Sequence, residues 1–450
     1  MSEITLDVRL DGFPEAIGEL SRNQNGGLNF QYKKAYADRT NALPLSLSMP
    51  LTDEPYGDVL THAFFDNLLQ EREGPLQRVM AREGISRDDI AGLLFYLGKD
   101  CAGAISVLPQ GSPAVKIPGD YDQDYDVVTE DVITKIIKSL SEKNTFPIDT
   151  DDPSPLAGVQ NKFAMTFLPN GQFAWPKSGL GAPTTHIIKV PNRNNSNDAK
   201  LEAATLKLSI LTGQETVEAE TRVFGGTEVL IIRRFDRTLD ENGQIMRIHQ
   251  EDFAQAMGLP RALKYERDGK VGRRFDAFAI RKITDQTATT MAARMDFIYA
   301  TIFDLLVGNV DAHAKNHALL YEGNGRPVFA PRYDLVPTRL DSSLTDELPY
   351  KIGNASRIDE IGVSDFDVFL KNIGIATPSA RQRIARDALH QTANILAPEL
   401  ESIARNGMRL YADLIAANMR LLLPAFGVPV PECAKNRDAF VQHGGGWLLS

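Results

Sequence analysis

Between Gly308 and Thr338 the chain reads GNVDAHAKNHALLYEGNGRPVFAPRYDLVPT. Asp311, His313, Lys315, Asn316 and His317 crowd into one short run there, and Asp334 follows further on. HALLY and PVFAP flank EGNG, which signals a β-hairpin. The ends of a hairpin lie one inter-strand spacing apart. Asp311, Asn316 and Asp334 are therefore expected to meet at one edge, although up to 23 positions separate them. Two carboxylates and a carboxamide in one place suit phosphoryl transfer from ATP. One Asp positions and deprotonates an attacking hydroxyl, while a second Asp and an Asn hold magnesium against the phosphates.

Protein kinases space a catalytic Asp and a metal-binding Asn five positions apart, with a second metal-binding Asp beyond a hairpin. Asp311 to Asn316 has that interval, and Asp334 stands in the later place. Lys315 would offset charge on the transferring phosphate, and His313 and Tyr333 would pack or hydrogen-bond around it. A polar loop with capping aspartates is the bland alternative. A zinc site on His313 and His317 is disfavoured, because HAKNH lacks the internal glutamate of a metalloprotease helix and reads as loop into strand.

Other elements must position this site. FIYATIFDLLV has apolar residues at helical spacing and is expected to end as a helix at Gly308. THIIKV places Lys189 inside an apolar strand, where a lysine asks for an anion; an edge-strand, solvated lysine is the alternative. Glu202, in the following helix NDAKLEAATLKLSILTG, is a candidate partner for it, with Asn197 as that helix's cap and Gly213 as its stop. AGVQNKF, from Ala157, precedes a strand and has the makings of a phosphate loop. RRFDR, with Arg233, Arg234 and Phe235, ends a strand at the place of a hinge.

The 450 residues are too many for one simple core. We expect an N-terminal subdomain over 1–111, a Pro/Gly/Asp-rich linker over 112–128, a β-rich lobe over 129–249, a helical lobe over 250–427 and a tail over 428–450. Hydrophobic residues make up 43% and charged residues 24%, a soluble globular balance. No apolar run suggests a membrane helix, the N-terminus lacks signal-peptide character, and two cysteines are too few for a disulfide framework. A reducing cytoplasm fits. A net charge of −10 argues against broad capture of nucleic acid. Residues 261–282 nevertheless carry eight Lys or Arg against three acids, and RQRIAR adds Arg381, Arg383 and Arg386.

Six motifs in order resemble the HipA family, the kinase toxins of bacterial HipBA-type toxin–antitoxin modules. They are AGVQNK (157–162), TTHIIKVP (184–191), RRFDR (233–237), QEDFAQAMGLP (250–260), DAHAKN (311–316) and YDLVPT (333–338). LSLSMPL (45–51) resembles the family's small domain. The resemblance implies an α+β, protein-kinase-like fold of two lobes, a small mainly antiparallel β lobe and a larger helical one, with an additional N-terminal α/β subdomain. It implies Asp311 as catalytic base, and Asn316 and Asp334 as magnesium ligands. It implies ATP contacts from Ala157, Gly158, Val159, Gln160, Asn161 and Lys162, from Lys189, from Arg233, Arg234 and Phe235, and from His313, Ala314, Lys315, Asn316, Tyr333 and Asp334. The implied reaction is ATP-dependent phosphorylation of serine or threonine in a protein such as an aminoacyl-tRNA synthetase, causing growth arrest. The implied partner is a small helix-turn-helix antitoxin, with DNA reached only through that complex. Family members autophosphorylate a serine two residues before the AG pair. Here Pro155 holds that place, and Ser154 is the nearest serine.

Two other functions use the same residues. A non-catalytic co-repressor would partner a DNA-binding antitoxin and turn its basic runs toward phosphates. A small-molecule kinase of the same fold would keep every phosphate-handling group.

Overall fold

A computed structural model describes residues 2–69, 73–144, 146, 161–192, 197–323 and 325–441. The chain forms two compact units. One gathers Met1–Asn192, Arg222–Ala262 and Ala318–Val328; the other gathers Arg193–Thr221, Leu263–His317 and Phe329–Ser450. Among the described residues, no helix is long and apolar enough to cross a membrane.

The first unit opens with alternating residues that form β1 (Ile4–Leu10), β2 (Gly18–Arg22) and β3 (Leu28–Tyr32); β4 (Ile105–Pro109) joins them later. The antiparallel order is β3-β2-β1-β4. Leu6, Val8, Leu20 and Phe30 face a core completed by Phe64 and Phe65 of the helix Asp58–Asp66 and Leu93 and Leu94 of the helix Ile90–Leu97.

A six-stranded sheet follows. It is built from β5 (Tyr125–Val127), β6 (Asn161–Phe167), β7 (Phe173–Pro176), β8 (His186–Val190), β9 (Ala219–Phe224) and β10 (Thr227–Arg233), in the order β5-β7-β6-β8-β10-β9. The stretch read as a linker thus ends in a strand, because β5 pairs with β7 and Tyr125 is buried with its hydroxyl donating to Pro183 O at 2.7 Å. Strand alternation divides the two faces. Phe163, Met165, Ile188, Val190, Val229 and Ile231 pack on Ile133, Ile136, Ile137 and Leu140 of the helix Glu130–Lys143. The opposite face carries Lys162 and Lys189.

β11 (Arg237–Leu239) and β12 (Ile245–Arg247) form a small hairpin. Arg247 of β12 ties it to the first sheet. Its guanidinium donates to both oxygens of Asp11 at 2.7 Å and to Asp100 at 3.0 Å. β13 (His249–Asp252) pairs antiparallel with β14 (Ala318–Tyr321), and β15 (Val328–Phe329) completes a three-stranded sheet.

Glu251 of β13 is fully buried. It accepts hydrogen bonds from the Ser46 hydroxyl, from Leu47 N–H at 2.9 Å and from the Tyr321 hydroxyl at 2.5 Å. Burial pushes its carboxyl up to about 7, against the pull of those donors. His249 stacks on Tyr321, donates from Nε2 to Leu45 O at 3.0 Å, and is pushed down to about 4 by burial. The LSLSMPL segment is therefore locked onto the hairpin whose first strand follows the DAHAKN run.

The second unit is mainly helical. Its long members are Asp198–Leu211, Thr290–Val307, Val363–Ile373, Pro378–Leu396 and Arg409–Leu422. Thr377 caps Pro378–Leu396 through Ala380 N–H, with Pro378 at its first turn, a position that needs no amide hydrogen. Asn197, expected to cap Asp198–Leu211, makes no side-chain cap bond there because its backbone is already helical. Arg381, read as part of a solvated basic run, is buried instead. It pairs with both oxygens of Asp367 and donates to Ile375 O and Ala376 O.

Candidate active site

The helix Thr290–Val307 ends where Gly308 adopts φ 77°, a left-handed turn that a glycine makes without cost, and its N–H caps Asp304 O. The chain then turns into the DAHAKN run. Asn309 Nδ2 donates to Asp304 Oδ1 at 3.0 Å, and Asn309 Oδ1 accepts from Asp311 N–H at 3.2 Å. His313 N–H donates to Asp311 O at 2.7 Å, and Asn316 Nδ2 donates to the same carbonyl at 2.8 Å. Anchored through its NH₂, the Asn316 amide has its oxygen turned away from that carbonyl and available to a hard cation.

The segment beyond the hairpin is bonded to this run, as the turn geometry predicts. Thr338 Oγ1 accepts from Val310 N–H at 3.1 Å, Arg339 N–H donates to Gly308 O at 3.0 Å, and the Tyr333 hydroxyl donates to Lys315 O at 2.8 Å. Asp334 follows with φ 58°, one of two described non-glycine residues in the left-handed region. Such a conformation costs on the order of 1–3 kcal/mol and persists only where surroundings impose it. Arg332 lies two residues earlier in a fixed position. It pairs with Asp304 at 2.6 Å and forms a parallel bridge with Thr216.

Asp311 is half-buried, and one carboxylate oxygen accepts the Tyr265 hydroxyl at 2.5 Å. Burial raises its proton affinity above the ordinary carboxyl range. Tyr265's bond opposes that shift, the charge of Asp334 adds to it, and Lys264 and Arg267 oppose it. The pair Asp311 and Asp334 is thus close enough to repel. A raised carboxyl of this kind accepts a proton more readily than an ordinary one. Tyr265 carried no signal in the sequence: it lies 46 positions from Asp311 within a basic stretch.

The other expected residues fall as follows. His313, Ala314 and Lys315 are buried within the loop, with Ala314 N–H donating to Lys264 O at 3.0 Å. His317 sits between Phe275 and Phe297, bonds Ala312 O, and is pushed down to about 3 by burial. It is a packing histidine. Among the described residues, no group of three His, Cys, Asp or Glu is placed to hold a metal.

In the first unit, Lys189 stands on β8, flanked by β6 and β10, so it is not on an edge strand. Its register partner on β6 is Lys162, and on β10 Leu230. Directly opposed residues share a face, so two ammonium groups project from one side of the sheet. Asn161 is buried, its Nδ2 donating to Leu140 O at 2.8 Å. Arg233 is exposed, Phe235 half-buried, and Arg234 buried with its guanidinium clamped on Asp236 at 2.9 and 3.0 Å. Ser154, Ala157, Gly158, Val159 and Gln160 lie outside the described residues. Glu202 is buried in the second unit.

The pattern of the HipA N-terminal domain matches residues 6–108, and that of the HipA-like C-terminal domain matches residues 154–397. The chain belongs to the HipA family. Its relatives include Y4mE of Sinorhizobium fredii, named as a kinase, 32% identical over 429 residues, covering 94% of this chain and 99% of that protein. The serine/threonine-protein kinase toxin HipA of Shewanella oneidensis is 26% identical over 464 residues, covering 99% and 95% respectively. A solved Shewanella oneidensis HipA, in a complex with HipB and operator DNA, superposes with a TM-score of 0.73 at 24% identity. It covers 97% of this chain and 100% of that one, which shows a shared HipA fold. The α+β class with antiparallel sheets, expected from the motifs, is the class found.

Proposed function

We propose that this protein is an ATP-dependent serine/threonine protein kinase acting as the toxin of a toxin–antitoxin module. One observation carries the reading. Asn316 is bonded to the Asp311 carbonyl, Tyr333 beside Asp334 is bonded to Lys315 O, and the Asp311 carboxyl is lifted by burial and by the charge of Asp334. A mere capping loop has no use for two mutually repelling, partly buried carboxylates. Family membership agrees with it, and so does the DAHAKN…YD order.

In this reading, Asp311 accepts the proton of the acceptor hydroxyl as its oxygen attacks the γ-phosphorus. Asn316 and Asp334 would hold magnesium. Two hard oxygen donors suit an ion that keeps several waters and takes further oxygens from phosphates. When bound, magnesium neutralises charge developing on the phosphates. Lys189 and Lys162, on one face of the sheet, would receive the nucleotide's phosphates. Residues 157–160 would complete the phosphate loop, Arg233 to Phe235 would border the adenine, and Ser154 is the candidate for autophosphorylation. With its guanidinium committed to Asp236, Arg234 would contribute through its backbone.

The protein substrate would be a translation component such as an aminoacyl-tRNA synthetase, and the partner a small DNA-binding antitoxin. Incubating the purified chain with γ-labelled ATP, magnesium and a cell lysate tests this. Label is expected on a lysate protein with native chain and not with Asp311→Asn. Equal labelling by both would end the kinase reading. Label confined to the chain itself would mean autophosphorylation without an external substrate.

A further inference from the structure

Tyr265 bonds the Asp311 carboxylate, and nothing in the kinase reading requires it. Its hydroxyl donates to Asp311 at 2.5 Å. Its ring is held on several sides. The Arg267 guanidinium lies 3.9 Å above the ring centroid, Lys264 Nζ lies at 5.6 Å, and the His313 ring meets it edge-on at 5.1 Å and 81°. The backbone on either side is pinned as well. Lys264 O accepts Ala314 N–H at 3.0 Å, and Glu266 N–H donates to Pro349 O at 2.9 Å. The Glu266 carboxylate in turn accepts Lys351 N–H at 2.7 Å. A rotor gripped in this way delivers its O–H to one place only.

We infer that Tyr265 is a positioning residue of the phosphotransfer site, holding the Asp311 carboxylate in one orientation toward the acceptor hydroxyl. The inference deepens the kinase reading and rests on it. A neutral phenol suits the task better than a cation would. A lysine or arginine bonded to Asp311 would form an ion pair with it. The phenol fixes one oxygen through a directed bond and leaves the carboxylate unpaired with a cation at that bond.

The test is Tyr265→Phe in the full-length chain, which keeps the ring packing and removes only the hydroxyl. The readout is the rate of label transfer from magnesium–ATP to the lysate acceptor, resolved into a maximal rate and an acceptor KM. The maximal rate falls about ten-fold while the KM stays near the native value, the equivalent of one hydrogen bond to a charged group. The thermal shift given by magnesium–ATP stays as in the native chain. A loss of rate matched by an equal loss of folded protein would reduce Tyr265 to a structural role, and an unchanged rate would make it a bystander. A lowered acceptor KM with a faster rate would show that Tyr265 competes with substrate, and would also overturn the inference. Asp311→Asn separates the two levels. If it still transfers phosphate, the base assignment fails. If it is silent while Tyr265→Phe keeps the native rate, only the role of Tyr265 fails.

Discussion

Asp304 and Asp311 lie seven residues apart, one in the last turn of the helix Thr290–Val307 and one in the loop after it. Both carboxyls are raised by burial, yet they are compensated differently. Asp304 is buried and meets Arg332 at 2.6 and 2.7 Å through both oxygens, with Asn309 as a third donor. Its charge is answered by a cation in fixed geometry, and its work is to hold the Arg332 segment. Asp311 meets a neutral phenol and stands within the field of a second carboxylate, Asp334. A buried charge that is fully paired is architecture. One bonded to a neutral donor, beside another of the same sign, is the kind the kinase reading uses to take a proton.

The contrast can be broken by mutation. Asp311→Asn should lower phosphotransfer by on the order of 10²–10⁴-fold, the usual share of a general base. Its urea-unfolding midpoint should stay near that of the native chain. Asp304→Ala should do the reverse. Removing one partner of a buried pair leaves Arg332 unanswered, at about 3–5 kcal/mol of stability. The transfer rate per folded molecule should fall far less than for Asp311→Asn. Matching profiles for the two variants would dissolve the distinction.

Glu251 extends the comparison to a third buried carboxyl, answered only by neutral donors. Its folded value of about 7 lies above the ordinary 4.5, so the stability it contributes is full below pH 4.5 and is lost as pH rises through 7. His249 has the opposite sign. Lowered from 6.5 to about 4, it contributes above pH 6.5 and loses that contribution as pH falls through 4. The two oppose each other between 4.5 and 6.5, and above that Glu251 acts alone. Native protein should therefore lose about 1 kcal/mol between pH 6.5 and roughly pH 8 relative to Glu251→Gln, read from urea melts at each pH. Parallel curves would contradict this.

Asp334 tests the backbone side of the site. At φ 58°, alanine should be less stable than glycine by about 1 kcal/mol, and both should be inactive. Thermal melts of the two variants give the difference. The smallest effect is expected at Lys162. Replacing it by methionine keeps a side chain of similar length and removes the charge beside Lys189, so ATP binding should weaken without being abolished. Calorimetry with ATP on the native and variant chains reads the difference.

Much of this architecture was written in short-range patterns. Alternation in THIIKV and FAMTF predicted β6 and β8, and the glycine after FIYATIFDLLV predicted the end of its helix. The hairpin geometry anticipated that Asp311 and Asp334 would meet. What escaped was long-range or conformational. Tyr265 reaches Asp311 across 46 positions with no periodicity to announce it. The positive φ of Asp334 has no local sequence signal such as a glycine. The burial of Arg381 was not legible because a run of like charges carries no sign of its partner Asp367. The docking of LSLSMPL on Glu251 joins residues some 200 positions apart, which no local signal encodes.

The central claim divides labour between two carboxylates: Asp311 takes the proton, and Asp334 holds the metal that carries ATP. Thermal shift with ATP, with and without magnesium, on native chain, Asp311→Asn and Asp334→Asn tests that division most directly. Stabilisation by magnesium–ATP should persist in Asp311→Asn, as ligand binding to the folded state requires. It should vanish in Asp334→Asn. Loss of the shift in Asp311→Asn with retention in Asp334→Asn, or no magnesium-dependent shift in the native chain, would contradict the account.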